Sequence, residues 1–188
     1  DVSAVNIEEN GSRVPVNYVL PPGISRMIDP SQPQIRQQNE QSLQMKVTSL
    51  APKDARAVYK NTYIDMRQYN NIQMFVHAEK LIDDTELEDG DCHLFIRLGT
   101  DYKNNFYEYE IPLSLTPHGP PPYNGNSDAD RLKVWPKENM FDVALTVFTD
   151  LKLKRNADKR GGKHESFAKP YFEPDPKKPS NKVTIVGN

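Results

Sequence analysis

The chain has 188 residues, of which 36% are hydrophobic, with 16 prolines, 9 glycines and one cysteine, Cys92. A formal charge of −2 excludes the basic footprint of a nucleic-acid-binding protein, and a lone cysteine excludes an intrachain disulfide. No run of about 18 apolar residues is present to form a transmembrane helix, and the proline content restricts interior helix and central strand.

Residues 1–16 are polar and irregular and read as a linker or a frayed strand. Residues 17–188 read as one domain. The sequence opens on Asp1-Val2-Ser3-Ala4, which is no signal peptide. It closes on Thr184-Ile185-Val186-Gly187-Asn188, a strand running into a turn. Both ends look cut, so the chain reads as a fragment of a longer polypeptide.

Asn17 to Leu20 predicts a short edge strand, stopped by Pro21-Pro22-Gly23. Ile24 to Glu40, rich in Pro, Gln and Arg, reads as a loop over a sheet edge. Ser42 to Leu50 alternates Leu43, Met45 and Val47 with Gln44, Lys46 and Thr48, the period-two signature of a strand. Ala55 to Ile64 predicts another strand, with Val58, Tyr59, Tyr63 and Ile64 buried.

Three runs between Asn71 and Leu113 alternate more strictly. Ile72, Met74, Val76 and Ala78 oppose Gln73, Phe75, His77 and Glu79. Cys92, Leu94, Ile96 and Leu98 oppose His93, Phe95 and Arg97. Tyr107, Tyr109, Ile111 and Leu113 oppose Phe106, Glu108 and Glu110. Successive side chains of a strand point to opposite faces, so the three runs read as a β-meander with an apolar core face.

Thr116 to Asp130, with Pro117, Pro120, Pro121 and Pro122, reads as a long loop. Leu132 to Trp135 reads as a short strand. Phe141 to about residue 144 predicts a strand, followed by a short helix ending near the basic Lys152, Lys154 and Arg155. An edge strand at best is expected over Lys169 to Lys178, and a last strand over Lys182 to Val186. Strands without alternating helices exclude a parallel βαβ sheet. The expected fold is therefore all-β: an antiparallel, jelly-roll-like β-sandwich with one short helix and long loops.

No nucleophile elbow, phosphate loop or dinucleotide fingerprint occurs, so no enzyme is expected and no catalytic residue is named. The acids at 83–91 do not fit calcium-loop spacing and read as a solvated turn. His77 and His93 lack a third ligand for zinc. Neither a metal nor a cofactor is expected. The outstanding feature is the polar face of the three runs. Phe75, Phe95 and Phe106, with His77 and Arg97, interrupt it with rings. They are the candidate binding residues, either as a contact surface covered by another layer or as a platform for sugar rings.

Longer segments carry more. The succession Leu20-Pro21-Pro22-Gly23-Ile24-Ser25-Arg26, Arg36-Gln37-Gln38-Asn39-Glu40-Gln41-Ser42-Leu43, Asp54-Ala55-Arg56-Ala57-Val58-Tyr59-Lys60-Asn61, Phe95-Ile96-Arg97-Leu98-Gly99-Thr100-Asp101-Tyr102, Tyr107-Glu108-Tyr109-Glu110-Ile111-Pro112-Leu113 and Val134-Trp135-Pro136-Lys137-Glu138-Asn139 resembles the SprA/Sov family of Bacteroidota cell-surface proteins. The resemblance runs from about residue 18 to the end and leaves the first 17 residues unplaced. It implies a soluble domain of a large outer-membrane β-barrel, the translocon of type IX secretion, needed in gliding members for motility. The implied location is the outer membrane or cell surface, with no insertion of this fragment into the membrane. The implied partners are other parts of the translocon, its accessory plug and barrel proteins, and secreted cargo. No nucleic acid is implied. The resemblance supplies no catalytic residue. The expected function is that of a non-catalytic structural or interaction domain, with a carbohydrate-binding module as the alternative.

Overall fold

The structure, a computed structural model, describes every residue except 27, 30–35, 38, 39, 82–85, 120, 121 and 188. In chain order its elements are β1 (Val2–Asn6), α1 (Ile7–Asn10), β2 (Ile28–Asp29), β3 (Arg36–Gln37), β4 (Gln41–Met45), β5 (Asn71–Met74), β6 (His93–Asp101), β7 (Asn105–Pro112), α2 (Asp128–Val134), β8 (Phe141–Ala144), α3 (Thr146–Arg160), β9 (Tyr171–Asp175) and β10 (Lys178–Val186). The chain is mainly β, and among the described residues every pairing is antiparallel. One four-stranded sheet has the order β6-β7-β10-β9, and the remaining strands form the two-stranded ladders β1-β4, β2-β3 and β5-β8.

The chain forms two compact units, Asp1–Met66 with Thr116–Trp135, and Arg67–Leu115 with Pro136–Asn188. In the first, residues 1–16 are more ordered than their composition implies. β1 pairs with β4 from Val2↔Met45 to Asn6↔Gln41, and the Asn6 side chain accepts from the Glu9 amide to cap α1.

Asn17 to Leu20, read as a short edge strand, is buried but is not a strand. The Asn17 amide stands in for a ladder: its Nδ2 donates to Tyr123 O at 3.0 Å, and its Oδ1 accepts from Tyr123 N at 2.7 Å. Trp135 Nε1 donates to Val19 O at 2.8 Å, and the Tyr18 and Trp135 rings meet edge to face.

Leu132 to Trp135, read as a strand, belongs instead to the end of α2. Ser127 caps that helix through the Asp130 amide, Asp128 and Asp130 fill its first turn, and Arg131 and Lys133 its last. This is the charge order that the helix dipole favours. Ala55 to Ile64 forms no strand, and its expected core residues are exposed: Val58 44%, Tyr59 80%, Tyr63 99% and Ile64 52%. Much of the reading for Ile24 to Glu40 lies outside the described residues; the small β2-β3 ladder falls within it.

The second unit holds the larger core. Tyr109 and Ile111 of β7 with Val183 and Ile185 of β10 form one face of the four-stranded sheet. Phe141 and Val143 of β8, Val76, and Phe148 and Leu151 of α3 pack on it. α3 runs for 15 residues, well beyond the single short helix expected, and it buries Phe148, Leu151 and Arg155 at helical spacing. Tyr109 Oη donates to Asp175 Oδ2 at 2.5 Å and accepts from Asn181 Nδ2 at 3.1 Å. Burial first, then the Asp175 carboxylate, pushes its phenol well above the ordinary tyrosine range. Asn139, fully buried, bridges both backbone groups of Ser114.

The meander is two strands where three were expected. β6 and β7 form the hairpin, but β5 pairs with β8, from Asn71↔Ala144 to Met74↔Phe141. The Asp142 carboxylate locks that pairing by accepting from Gln73 Nε2 and Asn71 Nδ2. Sequence proximity favours a β5-β6 hairpin, whereas the longer-range pair places Phe141 and Val143 over the sheet.

Candidate functional site

The register of β6, β7 and β10 assembles the polar face of the four-stranded sheet. Arg97 sits directly opposite Glu108, Phe95 opposite Glu110, and Lys182 opposite Glu110 from the other side. Directly opposed unlike charges are the favourable cross-strand arrangement.

Arg97 is the centre. Its Nε and Nη2 donate to Glu108 Oε2 at 2.9 and 2.5 Å, and its Nη1 donates to Tyr102 O at 2.5 Å. Its guanidinium carbon lies 3.8 Å from the Phe106 ring centroid and 5.3 Å from that of Phe95. A planar cation over an aromatic face is attracted by the ring's quadrupole. Phe106 is consequently only 8% exposed.

Glu110 is held from both sides, by His93 Nδ1 at 2.6 Å and by Lys182 Nζ. Burial pulls the Glu110 carboxyl upward, but the bonds from Lys182 and His93 outweigh it and leave the pKa lowered. A carboxyl with a depressed folded pKa adds stability above its unfolded pKa, and that stability is lost as pH falls through the folded value. The melting temperature is therefore expected to fall as the pH drops from the ordinary carboxylate range toward the lowered pKa of Glu110. Glu110→Gln should show a smaller acid-dependent fall, measured by thermal melts across pH.

The structure brings Phe95, Phe106 and Arg97 together and leaves Phe75 and His77 elsewhere. Both follow β5, which has left the meander for β8, so no ladder carries them to β6. Phe75 is half-buried, and His77 Nε2 lies 3.7 Å from Glu79 Oε2. Lys182 is the member that periodicity within 71–113 did not reach, because β10 joins from the far end of the chain.

The acidic turn has structural uses. Asp91 Oδ2 accepts from the Glu88 amide, and Asp89 Oδ1 from the Leu115 amide; Asp83 and Asp84 lie outside the described residues. Among the described residues no three His, Cys, Asp or Glu side chains are placed to hold a metal ion, and no helix is long and apolar enough to cross a membrane. A cleft of about 310 Å³ in the first unit is lined by Tyr18, Tyr123 and neighbouring backbone, with no acid or base.

The family model SprA_N, described as motility related/secretion protein, matches residues 1–188. The chain belongs to the SprA_N family. No curated protein matches it. The SprA_N match extends through β1 and α1, the segment that the residue-by-residue resemblance left unplaced, and membership makes this a motility- and secretion-related protein. Each charged group named on the polar face has a partner within the sheet or its turns.

Proposed function

We propose that this chain is a non-catalytic structural and interaction module of a SprA-like protein-export translocon at the outer membrane, acting in type IX secretion and gliding motility. The observation that carries the reading is the SprA_N match over the whole length. The polar face supports it. Arg97, Glu108, Glu110, His93 and Lys182 are engaged with one another and with Phe106, an arrangement that stiffens a sheet. Its partners in this reading are the remainder of the translocon, the accessory proteins and the secreted cargo.

The carbohydrate alternative needs open ring faces. Phe106 offers none, because Arg97 covers it, and Phe75 is absent from the face. In-frame deletion of residues 1–188 from the full-length protein tests the proposal. Export of cargo into the medium and gliding are both expected to fall at least about tenfold, the scale of 1.4 kcal/mol in an assembly equilibrium. Normal export and normal gliding would sink it.

A further inference from the structure

The two edges of the four-stranded sheet are built differently. β9 carries Pro174, paired with Lys182. Lys182 turns its backbone toward β7: the bond from Leu113 N to Cys92 O turns Leu113, Ile111 and Tyr109 toward β6, and alternation along the strand then turns Glu110 toward its partner Lys182. The missing N–H of Pro174 therefore falls on the outer edge, a device that keeps other strands away.

β6, at the opposite edge, has nine residues and no proline. Leu113 N donates to Cys92 O at 2.9 Å, and Pro112, which has no N–H, faces His93. By alternation Leu94, Ile96 and Leu98 bond to β7, while the backbones of His93, Phe95, Arg97 and Gly99 point outward. Among the described residues no strand pairs with that edge.

We infer that the open edge of β6 receives an extended segment of another part of the translocon as a fifth strand, one that alternates acidic and apolar residues. The side chains specify that alternation. Across the polar face the sign of charge changes from strand to strand: Arg97 on β6, Glu108 and Glu110 on β7, Lys182 on β10. A strand outside β6 continues the order with an acid beside Arg97, as Glu110 already sits between the His93 and Lys182 side chains. On the other face Leu94, Ile96 and Leu98 pack against the core but stay half-exposed at the edge, and an apolar row beside them completes their burial. Main-chain bonds then supply affinity and alternate side chains the selectivity, as in strand addition generally.

The inference rests on the proposed function only for where the partner strand is found. Amide hydrogen exchange at single-residue resolution tests it, comparing the isolated chain with the full-length protein in its assembly. The amides of Phe95, Arg97 and Gly99 are expected to slow at least about tenfold in the assembly, with those of Leu94, Ile96 and Leu98 protected in both as the control for folding. Equal exchange of the outward amides in the two samples overturns the inference. So does protection that grows with concentration of the isolated chain, which assigns the edge to a second copy. Loss of export on deletion together with unprotected outward amides leaves the proposed function standing and removes this inference alone.

Discussion

Phe141→Ala is expected to destabilise the second unit by about 3–5 kcal/mol, the range for removing a large aromatic from a packed core. Phe141 is 1% exposed. Its ring meets Tyr109 edge to face at 6.0 Å, and it shares a cluster with Ile111, Val143, Phe148, Leu151, Val183 and Ile185. Its position on a two-stranded ladder raises the effect further. An isolated pair of strands is marginal in water, so β5 and β8 depend on Phe141 and Val143 for their attachment to the sheet. Urea denaturation followed by far-UV circular dichroism measures the cost, with an unchanged midpoint as the contrary result.

Gly99→Val is expected to cost about 1–3 kcal/mol through forced overpacking and to dismantle the centre of the polar face. A Cβ at Gly99 would stand 2.2 Å from Asn105 O and 2.7 Å from Phe106 Cα. Both are main-chain atoms, so no side-chain rotation relieves the contact. The strands must part where the register shifts between Gly99 and Asp101, and Phe106 then moves from beneath Arg97. The readouts are a lowered thermal midpoint and loss of the upfield ring-current shift of the Arg97 side-chain protons. Wild-type values for both would show that the hairpin yields more easily than its geometry implies.

β6 and β7 were legible from sequence because their apolar rows face a core and their polar rows face charge. Period two is therefore unbroken from Leu94 to Leu98 on one strand and from Tyr107 to Ile111 on its partner. β10 and β8 were legible on the same grounds. Val58, Tyr59, Tyr63 and Ile64 misled because an apolar side chain reports a preference for burial and not the presence of a partner that buries it. α2 hides behind prolines, yet Ser127 and Asp130 at capping distance were its signal. The length of α3 was hidden because Lys152 to Arg160 carries few apolar residues, and its inner face there is completed by a buried arginine, Arg155, bonded to Gly187 O and lying over Phe167.

The candidate site was half legible. Arg97, Phe95 and Phe106 share a face by parity alone, but parity cannot say which strand pairs with which, and that choice removed Phe75 and His77. Nor does it show depth. The Phe106 ring is closed because a cation fixed by Glu108 lies across it.

We propose that the chain works through its shape and contacts and not through bond-making chemistry. Cargo export measured against thermal stability, in cells carrying Phe141→Ala, Glu108→Gln, Glu110→Gln or a change at either carboxylate that accepts from Tyr171 Oη, Asp158→Asn or Glu173→Gln, in the full-length protein, tests it most directly. Export is predicted to follow stability, lost in Phe141→Ala and kept within about twofold, roughly 0.4 kcal/mol, in any carboxylate variant that melts like the wild type. A carboxylate variant of wild-type stability that abolishes export would contradict it.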